Sequence, residues 1–357
     1  MFNGSRLSAA RKRRSMTGKA LASLAGLAPN TISRLERGMI KEPSQETVAI
    51  LANALNYPIE FFDGSDLCDL SADNVSFRSM SAMSAAQRDA AITAGQFGVL
   101  LLDRLSEQFN LPLLNLLEAD PGTPPDVAAR LLRQRWGLGD QPIPHMIRLL
   151  EAKGIRVLSL NEQNLHVDAF SFWAKGQAYI FLNNQKSAER MRYDAAHELG
   201  HLVLHRQSAP KDTRQGEKEA NEFAASFIMP EADVRLYRPR TVSPAAIIKS
   251  KARWRVSAMA LTYRLFSLRL LTEWQNRMLY IQLGQMGYRS SEPQGIERET
   301  SALWPMILGA LWEDKKTRDH LATDIGLPLA EVNSLLDGLL EQRKPRPPRN
   351  TRLSVVK

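Results

Sequence analysis

Apolar positions recur at helical spacing through residues 1–62, at Leu7, Ala10, Leu21, Leu24, Ile32, Leu35, Val48, Leu51 and Leu55. Gly26, Gly38 and Pro43 punctuate the run, Ser44 sits at a helix start, and Pro58 closes a fourth helix before IEFF. The segment therefore reads as a bundle of short helices. Residues 63–80 are polar and irregular and read as a linker. The Ala/Leu-rich stretch 82–118 predicts two helices, and PGTPP at 121–125 breaks the chain before another over about 125–135. The pattern changes at Gly154. IRVLSL (155–160) is a β-branched run, and DAFSFWA (168–174) and QAYIFLN (177–183) alternate around Lys175-Gly176, a hairpin signal. These segments predict a small antiparallel sheet leading into a helix from Ser187 to Leu204. A helix over 215–228 should follow and stop at Met229-Pro230. The rest, to 340, reads as mostly helical with a strand at YIQLG (280–284).

The expected fold class is mainly α and multidomain. It places an all-α helix-turn-helix bundle at 1–64, a helical linker region at 65–140, an α+β core at 141–240, a helical region at 241–340 and a basic disordered tail at 341–357. A single cysteine, Cys68, excludes a disulfide framework and a cysteine-built zinc site. No run of 18 apolar residues exists, and the Arg-rich start, Arg6 to Arg14, has no apolar stretch after it. A cytoplasmic location without a membrane partner is therefore expected.

The net charge of +9 is concentrated at the ends. Residues 1–64 carry nine Lys/Arg against five Asp/Glu and residues 341–357 six against one, which leaves the body neutral. A basic head on a neutral body suits an acidic partner, and double-stranded DNA is the common one. TGKALASLAGLAPNTISRLERG (17–38) has the rhythm of a helix-turn-helix, with a tight turn at Gly26 and a second helix from Pro29-Asn30. Ala20, Leu24, Leu27, Ile32 and Leu35 would lock the two helices together. Asn30, Thr31, Ser33 and Arg34 would then face base edges and phosphates, with Lys19, Arg11, Arg13 and Arg14 as candidate DNA contacts.

Three of the six histidines fall in HELGHLVLH: His197, His201 and His205. His197 and His201 are four residues apart, so they project from one helix face and can share one zinc ion. Glu198, beside them, is placed to take a proton from water activated by that ion, which makes it the candidate catalytic base. In GEKEANEFAASFIMP, Glu217 is the candidate third ligand, with Glu219 and Glu222 as rivals, and Asn221 could orient a ligand from behind. A third in-line histidine is too far for the same ion, so His205 is treated as near the site, as is Tyr193. His145, His166 and His320 read as structural or surface residues. The hairpin before the helix offers a strand edge on which an extended substrate could be added.

HELGHLVLH followed by ExxANxFAAxFxMP, with AFSFW, YIFLN and SAERMRYDAA before it, resembles the ImmA/IrrE family of bacterial and phage metallopeptidases over roughly 145–235. The resemblance implies a zincin-like fold, one Zn²⁺ per chain and a substrate that is a partner DNA-binding repressor. Carried over, His197, His201 and Glu217 match the ligands and Glu198 the base. The first 62 residues resemble the Xre/lambda-repressor-like domain, although many members have Gln where this chain has Gly18. WRVSAMALTYRLFSLRLLTEWQNRM resembles the helical extension of longer family members. DHLATDIGLPLAEVNSLLDGL (319–339) repeats the helix-turn-helix rhythm without an Arg-rich face and reads as a dimerisation or regulatory bundle.

The functional expectation is a DNA-binding transcriptional regulator, working as a homodimer on an operator. Its zinc endopeptidase domain would cleave a repressor or antitoxin-like protein, with single-stranded DNA a further candidate activator. The rival expectation is a non-proteolytic repressor or antitoxin whose zinc domain is a sensor or protein-binding module.

Overall fold

The computed structural model describes residues 1–70, 75–77, 83–160, 169–206, 213–288 and 291–341. His166 and the basic tail beyond residue 341 lie outside the described residues. The head comprises α1 (Gly4–Arg13), α2 (Gly18–Ala25), α3 (Pro29–Glu36), α4 (Gln45–Leu55) and a 3-10 turn (Ile59–Asp63). Local chemistry sets these limits. Thr17 caps α2 by accepting from the Ala20 N–H, Gly26 ends it with φ +65°, and Pro29 opens α3 at a position whose N–H would be orphaned anyway. Ser44 caps α4 through the Thr47 N–H. Leu21, Ala25, Ile32 and Leu35 are buried between the helices, whereas Ala20 and Leu24, expected there, face outward. The inward stripe of α2 therefore runs one position away from the one expected.

A short strand β1 (Val75–Phe77) precedes the long α5 (Ala85–Ser106), then α6 (Pro125–Arg135) and α7 (Met146–Ala152). The two helices expected over 82–118 are one helix and an irregular segment from Leu111 to Asp120. Ser84 and Gln87 form a reciprocal capping box at its start, and Pro112 prevents its resumption. Gly98 does not break α5. A Cβ there would come within 2.6 Å of the Phe181 ring, so the glycine lets helix and sheet approach.

The sheet contains β1, β2 (Arg156–Leu160), β3 (Ala169–Ala174) and β4 (Gln177–Asn183), in the order β1-β3-β4-β2. β3 and β4 form the expected hairpin, and Lys175 and Gly176 both have positive φ, as a two-residue turn of the favoured hand requires. The sheet is mixed rather than antiparallel throughout, because β2 runs parallel to β4 with Arg156 opposite Tyr179. Alternation marks a strand and its faces but carries no information about the direction of its neighbour. Phe170 stacks on Phe181 at 4.6 Å and Phe172 on Tyr179 at 5.0 Å, forming an aromatic layer between sheet and α5.

On the other face lies α8 (Ala188–Leu204), packed on β3, β4, α6, α7 and α9 (Thr213–Ile228). Its residues Ala188, Glu189, Met191 and Arg192 are buried, and burial continues from Asp194 to Val203. Arg192 is held by Glu299, whose second oxygen accepts the N–H groups of Met146 and Ile147 at the start of α7. The next buried carboxylate, Glu151, does the same for Ala302 and Leu303. Such oriented carboxylates complete helix N-termini that would otherwise be buried without partners.

The remainder is α10 (Glu231–Tyr237), α11 (Pro244–Lys251), α12 (Ala258–Ser267), α13 (Glu273–Gln285), α14 (Leu303–Glu313), α15 (Arg318–Asp324) and α16 (Leu329–Leu336). The strand expected at 280–284 is part of α13, whose capping box, Thr272 with Gln275, starts the helix seven residues earlier. α12 packs on α9. α16 packs on α5 and β2, and Gly338 donates its N–H to Ser159. None of the described helices is long and apolar enough to cross a membrane.

Candidate metal centre and DNA-binding face

α8 and α9 cross closely because Gly200 faces Ala220 and Phe223. A Cβ at Gly200 would lie 3.1 Å from the Phe223 ring and 3.2 Å from the Ala220 backbone. That approach brings Glu217, on the first turns of α9, up to two histidines of α8. His197 Nε2 and His201 Nε2 are 3.1 Å apart, His197 Nε2 lies 3.3 Å from Glu217 Oε2, and His201 Nε2 lies 3.3 Å from Glu217 Oε1. Among the described residues these three form the one group of His, Cys, Asp and Glu side chains with metal-holding geometry.

The donor set fits zinc. Bonds of 2.0–2.1 Å in tetrahedral geometry put neighbouring ligand atoms about 3.3 Å apart, close to all three separations. The tautomers agree as well. Glu219 accepts from His205 Nε2 at 2.9 Å, so a neutral His205 presents Nδ1 as the acceptor for His201 Nδ1–H at 3.0 Å. His201 is thereby left with its Nε2 lone pair directed at the centre. Asn221 Oδ1, 3.2 Å from His197 Nδ1, fixes His197 in the same tautomer. Asn221 is held in turn by its amide donating to Glu217 O and by Tyr193 donating to Asn221 O. Two lone pairs and a carboxylate thus converge on one point, an arrangement satisfied by a cation. Burial lowers the His205 pKa, against the opposing pull of Glu219.

His205 therefore stands behind His201, and Glu219 behind His205. The other rival, Glu222, lines a separate cleft with Asp126, Arg235 and Tyr263. Glu198, fully buried, accepts a 2.7 Å hydrogen bond on Oε2 from the Ser171 hydroxyl of β3. Sequence reasoning missed Ser171. Its signal was a lone serine among aromatic residues in AFSFW, on the strand face opposite Phe170 and Phe172. His145 and His320 serve as helix-start acceptors, for Arg148 and Thr317.

In the head, Lys19, Asn30 and Arg34 are exposed, and Thr31 and Ser33 are half-buried on the same side of α3. The arginines of α1 put forward as DNA contacts are paired within the chain. Arg11 makes a two-pronged bond to Glu36 at 2.6 and 2.9 Å and also reaches Met16 O. Arg13 binds Glu331 Oε2 at 2.8 Å and Arg14 binds Glu331 Oε1 at 2.7 Å, while Tyr57 also donates to that carboxylate. Glu331 of the C-terminal bundle thus takes up two of the candidate DNA contacts, Arg13 and Arg14. Glu331, a single acid on the apolar face of LAEVNSLL, was the available signal.

Residues 150–266 match the family model of the IrrE N-terminal-like domain, a peptidase family, and residues 7–62 match a helix-turn-helix model. The first match runs beyond residue 240 to take in α11 and α12. No curated protein sequence matches the chain.

Proposed function

We propose that the chain, which matches a helix-turn-helix model over residues 7–62 and the IrrE N-terminal-like domain model over 150–266, is a DNA-binding regulator that cleaves a partner regulatory protein. The repressor-like or antitoxin-like class is the favoured substrate. The observation that carries the reading is the convergence of His197, His201 and Glu217 beside Glu198. A zinc ion bound there supplies Lewis-acid activation of water and polarisation of a peptide carbonyl. The chain's own residues do the rest. Glu198 holds the proton taken from the attacking water and delivers it to the leaving amine, its carboxylate fixed by Ser171. His205 with Glu219, and Asn221 with Tyr193, hold the two imidazoles in the required tautomers. The buried surroundings of α8 exclude bulk water from the base. On the head, α3 would enter the major groove with Asn30 and Arg34 outermost. Heads of this kind usually read paired half-sites as dimers, so a homodimer on the operator belongs to the proposal.

The test is co-expression of the full chain with neighbouring regulatory proteins, followed by mass spectrometry of their fragments. Cleavage by the wild type and none by Glu198→Gln supports the reading. Intact partners with both would leave the zinc domain as a sensor or binding module.

A further inference from the structure

We propose that the outer edge of β3 is a receiving edge for an extended peptide, and that residues 75–77 of the chain's own interdomain segment are its resident occupant. The inference rests on the peptidase reading of the zinc site and specifies what competes with the substrate there.

β3 pairs with β4 on one side and with β1 on the other. β1 is not part of the peptidase core in sequence. It comes from the stretch between the head, whose last turn ends at Asp63, and α5, which begins at Ala85. Its register sets Val75 opposite Phe172, Ser76 opposite Ser171 and Phe77 opposite Phe170. Ser171 is the residue whose hydroxyl holds Glu198. The three paired residues are therefore centred on the β3 position whose side chain holds the candidate base of α8.

Pairing at a strand edge is made by main-chain groups, so it does not require one sequence. β1 has three residues against the six of β3, shorter than an ordinary strand. What favours β1 over an incoming peptide is its covalent attachment, which gives an effective concentration of order millimolar for a short tether. A free substrate must outcompete that, or the head must draw the segment away. The same segment is the covalent link between the head and α5.

The test uses the full-length, zinc-loaded Glu198→Gln chain, which binds without turnover, and a fluorescein-labelled peptide of residues 71–82 followed by anisotropy. Adding Ser76→Pro, which removes a main-chain donor and disfavours the ladder, should tighten peptide binding at least tenfold. Ser76→Ala, which leaves the main chain intact, should bind like its parent. Equal affinity for the Ser76→Pro chain and its parent overturns the proposal. So does loss of zinc or a lowered melting temperature in Ser76→Pro, which would make β1 a structural strand. In Glu198-intact protein the Ser76→Pro change should lower KM for a cleaved peptide several-fold with kcat unchanged. Tighter binding in Ser76→Pro without cleavage by either protein leaves the edge assigned and removes the peptidase reading. Cleavage that Ser76→Pro neither speeds nor binds more tightly removes the edge proposal alone.

Discussion

Arg13, in the first helix of the DNA-binding head, and Glu331, near the end of the described chain, form a salt bridge at 2.8 Å in which both side chains are about 5% exposed or less. Arg14 and Tyr57 share the same carboxylate, and the Arg14 guanidinium lies over the Tyr57 ring at 4.9 Å. The C-terminal bundle is thus fastened to the head across more than three hundred residues of sequence. Removing Glu331 leaves a buried guanidinium without its counter-charge. Glu331→Ala is expected to cost about 3–5 kcal/mol, with Glu331→Gln intermediate. Chemical unfolding measures this, and an unchanged midpoint would show that the contact contributes nothing.

Glu217 is the carboxylate of the candidate metal centre. After dialysis against a mild chelator, elemental analysis of the wild type should find about one zinc per chain, and Glu217→Ala should retain almost none. Glu219→Ala should keep its zinc under the same dialysis. Loss in Glu219→Ala with retention in Glu217→Ala would reverse the assignment.

Glu198→Gln should keep its zinc and lose proteolysis. The expected fall in rate is about 10²–10⁴-fold, the usual contribution of a positioned general base. Residual cleavage at the wild-type rate would mean that another group takes the proton.

His205 stands behind His201, whose other ring nitrogen faces the candidate metal centre. His205→Ala should weaken zinc affinity by about 10–100-fold, the range seen when a partner behind a ligand is removed. Competition with a chromophoric chelator reads this directly. An unaltered affinity would assign the His201–His205–Glu219 chain to helix packing alone.

On the head, Arg34→Ala should weaken operator binding. If Arg34 contacts a phosphate, the slope of log affinity against log salt should shrink by about one; if it reads a base, the loss is about 1–3 kcal/mol at one site position. Arg13→Ala should instead lower stability, because that side chain is already committed to Glu331.

Much of the local structure was legible before the fold. Ser187 to Leu204 reads as one helix because an N-cap, an acidic first turn and a continuous apolar stripe agree. Lys175-Gly176 between alternating segments specifies its hairpin turn. HELGH places two histidines one turn apart on any straight helix. These are short-range properties, set by backbone geometry within a few residues. YIQLG failed for the same reason in reverse: its alternation is local, but the capping box at Thr272 and the packing of α13 on α12 override it.

What the sequence by itself determined was therefore the residue types, their spacing and the helix carrying His197, Glu198 and His201. The tertiary structure alone decided that Glu217 rather than Glu219 meets those histidines, because the close crossing at Gly200 sets which side of α9 faces α8. It also decided that β2 lies parallel to β4, that Ser171 reaches Glu198, that β1 covers β3, and that Arg13 and Arg14 turn toward Glu331 rather than outward. Each of these depends on contacts between residues distant in the chain. No periodicity encodes such contacts, because they arise only when whole elements pack against one another.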